Sequence, residues 1–169
     1  MRAKKFTAAV VLSVIAAVGF APLANAAVRP TTAQKLQLQY LIEEEKLARD
    51  VYLYLAANVT TAKFSNIAKS EQTHMDQIAA VLKTYNYFNP TTTRAAGVFR
   101  DKSLQALYNT LIAQGSVDVA AAMQVGRDIE NLDIKDLQVM LKSTMPADMK
   151  LALDNLLKGS INHLAAFNR

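Results

Sequence analysis

The stretch SEQTHM, residues 70–75, sets Glu71 and His74 three positions apart. On a helix that spacing brings both side chains to one face. Carboxylate and imidazole together form a donor set for iron, manganese or zinc. The same two groups can also simply pair with each other. Their surroundings sharpen the question. A stripe spaced three and four residues apart runs through Phe64, Ile67, Glu71, His74, Ile78, Val81 and Tyr85. Every member except Glu71 and His74 is apolar or aromatic, which is the pattern of a core-facing helix. A charge in such a stripe is costly unless something compensates it, so the pair requires partners from elsewhere in the chain.

Three other segments offer them. In LIEEEKLARDVY, residues 41–52, a stripe through Tyr40, Glu44, Leu47, Val51 and Leu55 is apolar except at Glu44. Shifting by one residue gives Leu41, Glu45, Ala48, Tyr52 and Leu55, nearly as good, so Glu44 is the first choice for the inward carboxylate and Glu45 the second. Glu45 also stands four residues before Arg49, the spacing of an ordinary surface ion pair. Glu43 shares a row with Gln39 and Asp50 and is expected to face water. In VGRDIENLDIKDLQVML, residues 125–141, Glu130 and Asp133 fall on the apolar stripe, while Asp128 and Asp136 fit it less well. The last stripe, Met149, Leu153, Leu156, Ser160, His163 and Phe167, carries the second of the chain's two histidines. Candidate metal ligands are therefore Glu44, Glu71, His74, Glu130, His163 and Asp133. Against each stands a plainer reading, a satisfied core histidine, a buried polar network or a solvated face.

The elements that must position these residues are helices. Five glycines and four prolines in 169 residues leave long stretches without a breaker. Periodicity predicts helices over about 35–57, 62–85, 118–142 and 147–167, with a shorter one over 101–115 that Gly115 would end and that Ser116 or Asp118 would follow as a cap. The links around 58–61 and 143–146 are short and make antiparallel neighbours. The link between the second and third long helices is about 30 residues, enough to cross a bundle. The expected fold is all-α, two antiparallel helical hairpins joined by a long crossover that carries the short helix.

The N-terminus reads as a signal peptide over residues 1–26. MRAKK is basic, residues 6–21 are apolar, and Ala24-Asn25-Ala26 fits the small-x-small cleavage rule. An uncleaved anchor is the competing reading, although the run is short for a span of about 20 residues. A short arm, 27–34, precedes a single domain over 35–169. Loss of Arg2, Lys4 and Lys5 lowers the formal charge from +5 to +2. That leaves no electrostatic footprint for nucleic acid, and no other segment is apolar enough for a membrane span. Periplasmic or secreted localisation follows. Cysteine is absent, which excludes disulfides, thiolate metal sites and cysteine nucleophiles. There is no Gly-rich phosphate loop, no G-x-S-x-G elbow and no Met-rich run. Tyr40, Tyr52 and Tyr54 read as packing residues with wet hydroxyls.

Glu44, Glu71-x-x-His74, Glu130 and the His163 segment resemble the ferritin-like di-iron carboxylate proteins, in which two helices give one Glu each and two give Glu-x-x-His. More closely, EEEKLARDVY, FSNIAKSEQTHM, IENLDIKDL and GSINHLAAF resemble the DUF2202 family over about residues 36–167. The resemblance implies a ferritin-like four-helix bundle. One departure is that the second Glu-x-x-His is here SINH, with Ser160 where the di-iron pattern has Glu. Asp133, one turn from Glu130, is the candidate replacement. Two function classes stay open. One is an exported protein binding one or two transition-metal ions, iron first and manganese or zinc next, with di-iron oxidoreductase chemistry such as Fe(II) oxidation or reaction with oxygen or peroxide. The other is a metal-free helical interaction module whose polar core fixes the fold. Expected partners are metal ions and a second copy in a homodimer.

Overall fold

The computed structural model describes residues 28–59 and 61–169. The expected signal peptide, 1–26, lies outside the described residues. Among the described residues the chain forms five helices and no strand: α1 (Thr32–Asn58), α2 (Ala62–Thr84), α3 (Lys102–Gly115), α4 (Val119–Met140) and α5 (Ala147–Phe167). The all-α expectation and its element order stand. None of these helices is long and apolar enough to cross a membrane.

The helix starts follow from local hydrogen bonding. Thr31 accepts from the Gln34 amide while the Gln34 side chain accepts from the Thr31 amide, a reciprocal cap. This box starts α1 three residues earlier than the apolar periodicity indicates. Asp101 caps α3 through the amides of Ser103 and Leu104, and Asp118 caps α4 through Ala121. Asp118, not Ser116, is therefore the α4 cap. Gly115 is the last residue of α3, as expected, but it is not in the left-handed region. It makes room instead, since a Cβ there would stand 2.7 Å from a Leu55 methyl.

α1 lies against α2, α3 and α4, and α5 lies against α2 and α4. Only three residues separate α1 from α2 and six separate α4 from α5, so each pair runs antiparallel. The apolar interior divides in two. One cluster gathers Leu47, Val51, Tyr52, Phe64, Val125 and Phe167, and the other Leu38, Ile42, Ile78, Leu137, Met149 and Leu156. The sequence between them carries polar side chains on every long helix: Glu44 and Glu45, Glu71 and His74, Glu130 and Asp133, Ser160 and His163. A polar layer thus crosses the middle of the apolar core. In the first cluster the rings of Tyr52, Phe64 and Phe167 pack with centroids 5.3–5.9 Å apart. Each such pair adds about 0.5–1.5 kcal/mol beyond burial, which helps offset the cost of the polar layer beside it.

The crossover is fastened by buried charge. Lys46, only 1% exposed, bonds to Asp50 and to the Ala95 carbonyl at 2.8 Å, with its ammonium 4.5 Å above the Phe99 ring. Asp50 also accepts from the Gly97 amide at 2.8 Å. Glu43 accepts from the amides of Arg100 and Asp101. Glu43 is therefore buried, contrary to the expectation that it faces water. The physical reason is that the crossover lays its backbone on that face of α1, and buried amides need acceptors.

Candidate metal centre

Four helices bring their carboxylates and imidazoles together within the polar layer. Glu71 sits between two histidines. Its Oε2 is 2.8 Å from His74 Nδ1, and its Oε1 is 2.8 Å from His163 Nδ1. On the α1 side, Glu45 Oε2 lies 3.2 Å from His74 Nδ1. On the α4 side, Glu130 Oε1 lies 3.6 Å from His163 Nδ1. Two triads result, Glu45–Glu71–His74 and Glu71–Glu130–His163. In each, one donor atom per residue lies within 4.8 Å of the others. The imidazole rings are stacked with centroids 5.4 Å apart. None of the five residues is more than 8% exposed.

The neighbours hold this arrangement. His163 Nε2 is 2.9 Å from Ser70 Oγ, which leaves Nδ1 facing the carboxylates. Tyr52 donates to Glu130 Oε1 at 2.7 Å from a fully buried hydroxyl. Gly159 admits the His74 ring, since a Cβ at that position would stand 2.3 Å from Nε2. Ser160 donates to Asp133 Oδ2 and, at 2.9 Å, to the Leu156 carbonyl.

Several buried atoms nonetheless find no hydrogen-bond partner: Glu45 Oε1, Glu71 Oε1, Asp133 Oδ1, His163 Nδ1 and both oxygens of Glu44. Glu71 Oε1 and His163 Nδ1 are close enough to bond, yet the ring N–H direction is not aimed at the oxygen. Native interiors pair nearly all such groups. Donors that converge without bonding one another fit cations shared between them. The donor set, carboxylate and imidazole without thiolate, is of the type that suits iron, manganese and zinc.

Without a cation, the cluster compensates by holding protons. Burial pushes Glu45 up to about 8, against the pull of His74. Burial likewise pushes Glu130 up to about 7 against His163. Glu44 is raised by burial and then by the charges of Asp133 and Asp136. Asp133 is raised by burial and then by Glu45. Burial disfavours the charged Glu71, but the two histidines outweigh it and hold that carboxyl at about 2. Burial also works against charge on the imidazoles. The carboxylates of Glu45 and Glu71 nevertheless carry His74 to about 11, and those of Glu130 and Glu71 carry His163 to about 9.

Of the residues singled out in the sequence, Glu71, His74, Glu130 and His163 are brought together. Asp133 lies beside them on Ser160. Glu44 does not join either triad, and Glu45 takes the place beside His74. The stripe rule could not separate the two because α1 is covered by α2, α3, α4 and the crossover, so every residue from Leu41 to Ala48 is buried. Arg49 pairs with Asp50 and Gln72 rather than with Glu45. Tyr52, Ser70 and Gly159 escaped the sequence reading as parts of the site. Only Gly159 left a signal, a glycine inside a helix beside the inward Ser160.

Residues 34–169 match the family described as uncharacterized protein domain DUF2202. The chain belongs to the DUF2202 family. Within the reach of that family, the chain is 45% identical over 127 residues to the uncharacterized protein MJ0754 of Methanocaldococcus jannaschii, a match covering 75% of this chain and 69% of that protein. A crystal structure of hypothetical protein MJ0754 from Methanococcus jannaschii superposes with a TM-score of 0.80 at 42% identity, covering 82% of this chain and 79% of that one. Neither description of these DUF2202 relatives carries an activity, so the chemistry rests on the site.

Proposed function

We propose that this DUF2202 protein is a ferritin-like metal-binding protein holding two transition-metal ions, one in each triad. Glu45 and His74 would hold the first, Glu130 and His163 the second, and Glu71 would be shared. One observation carries the reading: the two oxygens of Glu71 face different histidines at 2.8 Å each. A carboxylate so placed serves two cations at once. The helix order, Glu45 on α1, Glu71-x-x-His74 on α2, Glu130 on α4 and His163 on α5, supports the ferritin-like arrangement, with Glu45 in the role expected of Glu44.

Ser160 removes the second shared carboxylate of the di-iron pattern. Asp133, with Oδ1 unpartnered and Oδ2 held by Ser160, supplies a carboxylate at the same level from α4. The donor set favours iron, then manganese or zinc, and iron bound there would supply redox chemistry toward oxygen or peroxide. The protein's own residues orient the donors. Ser70 leaves His163 Nδ1 turned inward, and Tyr52 steadies Glu130, in the manner of groups that orient metal ligands. The five donors are themselves buried, which keeps bulk water away.

The test is the metal content of the purified mature protein, reconstituted with iron, manganese or zinc, beside Glu71→Ala. Two ions per chain and their loss in the variant support the reading. Absence of bound metal after reconstitution overturns it and leaves a metal-free polar core. Oxygen consumption with Fe(II) then separates catalysis from storage or structural binding.

A further inference from the structure

Glu44 is not explained by the two triads. It is buried, 4% exposed, and neither carboxylate oxygen has a hydrogen-bond partner. It lines a cavity of about 400 Å³ between α1 and α4, bounded also by Tyr40, Leu41, Asp136, Val139 and Met140. Two acids and no basic side chain line this space. The adjoining groove offers a contrast. It too contains acids, Glu43 and Asp101, but both already accept backbone amides, and Arg100 stands among them. A cation therefore gains little there and more beside Glu44.

Charge continues inward from the cavity. Asp136 and Asp133 are the charged neighbours of Glu44, and Glu45, Glu130 and Glu71 are those of Asp133. Asp136 is half-buried at the cavity wall, and Asp133 sits in the polar layer. Glu44, Asp133 and Asp136 do not form a tight three-donor group of the kind the triads form. That spacing suits passage rather than capture.

We propose that Glu44 is a way-station through which divalent cations pass from the α1–α4 cavity to the metal centre. This inference rests on the two-ion reading above. Two acidic side chains with no basic partner in a low-dielectric cavity draw cations, raise their local concentration and so speed binding. The centre's own donors then retain the ion, so the Glu44 step governs the rate of loading and not the final occupancy.

The test follows Co(II) binding to the metal-free full chain by stopped-flow visible absorption. Wild type is compared with Glu44→Gln and Asp136→Asn, with folding of each checked by circular dichroism. Glu44→Gln is isosteric, and Asp136→Asn alters only a half-buried wall, so at least one variant keeps the native fold. The expected result is loading slowed about tenfold or more, within the range over which charge focusing alters association, with unchanged final absorbance. Unchanged rates in both variants overturn the proposal. A lower final absorbance in Glu44→Gln also overturns it, because Glu44 would then be a ligand of the centre. Absence of Co(II) binding in the wild type sinks the two-ion reading itself, and the way-station with it.

Discussion

Gly159→Ala separates the candidate site from the fold more cleanly than removing a ligand does. A Cβ at residue 159 would lie 2.3 Å from His74 Nε2 and 2.6 Å from Cε1, whereas ordinary contact begins near 3.4 Å. The imidazole must therefore retreat by ~1 Å. It cannot do so with Nδ1 still 2.8 Å from Glu71 and 3.2 Å from Glu45. For the fold, the change is nearly balanced. Alanine in a helix interior gains about 1 kcal/mol over glycine, while overpacking costs about 1–3 kcal/mol. The metal-free melting temperature should fall by no more than a few degrees. For the site, loss of ligand orientation costs about 10–100-fold in metal affinity, and only in the Glu45–Glu71–His74 triad. Co(II) titration followed by visible absorption, with metal counted by mass spectrometry, should give one tight and one weakened ion. Two ions bound with wild-type affinity would refute the assignment of His74 Nδ1 as a ligand.

Other perturbations sort the roles further. Glu71→Gln should abolish binding of both ions, while Glu130→Gln should spare the one at Glu45 and His74, as equilibrium titration would show. Tyr52→Phe removes a bond to a carboxylate worth about 1.5–3 kcal/mol, so the denaturation midpoint of the metal-free protein should drop and affinity in the Glu130–His163 triad should weaken. Lys46→Met removes the ammonium but leaves Asp50 paired with Arg49 and the Gly97 amide, so it should cost about 1.5–3 kcal/mol of stability, with metal stoichiometry unchanged in denaturant titrations and metal counts. For pH, Glu45 at about 8 and Glu130 at about 7 stand above the ordinary 4.5, and His163 at about 9 and His74 at about 11 stand above 6.5. The folded metal-free chain thus holds protons that the unfolded chain has released. The histidines' contribution is complete below 6.5 and lost as pH rises through 9 and 11, and the raised carboxyls cost more between 4.5 and 8. Glu71, depressed to about 2, acts the other way, but only below 4.5. Thermal melts of metal-free protein should therefore show falling stability from pH 6 to 8. A cation displaces these same protons, so its added stabilisation should grow over that window.

Much of this arrangement was legible in the chain because three of its long helices bury one face. Glu71 and His74 interrupt the apolar stripe of α2, and Glu130 and His163 do the same on α4 and α5, so a period of three and four residues found them. α1 defeated the method. Its middle is enclosed on all sides, and with every residue from Leu41 to Ala48 buried, period alone cannot rank Glu43, Glu44 and Glu45. Their separation depends on tertiary neighbours: crossover amides for Glu43, the α1–α4 cavity for Glu44 and His74 for Glu45. Tyr52 packs as expected, but its hydroxyl, expected to be wet, is buried and donates to Glu130, 78 positions away in the chain. Such a contact has no local sequence signature. Gly159 shows the same limit in reverse, since its role is visible only once the His74 ring is seen against it.

The central claim is that Glu71 is shared by two cations. Anomalous X-ray scattering from crystals reconstituted with iron, manganese or zinc, collected at the edge of the metal used, tests it most directly. Two peaks should flank Glu71, one beside Glu45 and His74 and the other beside Glu130 and His163. No peak at Glu71, or a single peak touching only one of its two oxygens at full loading, would contradict it.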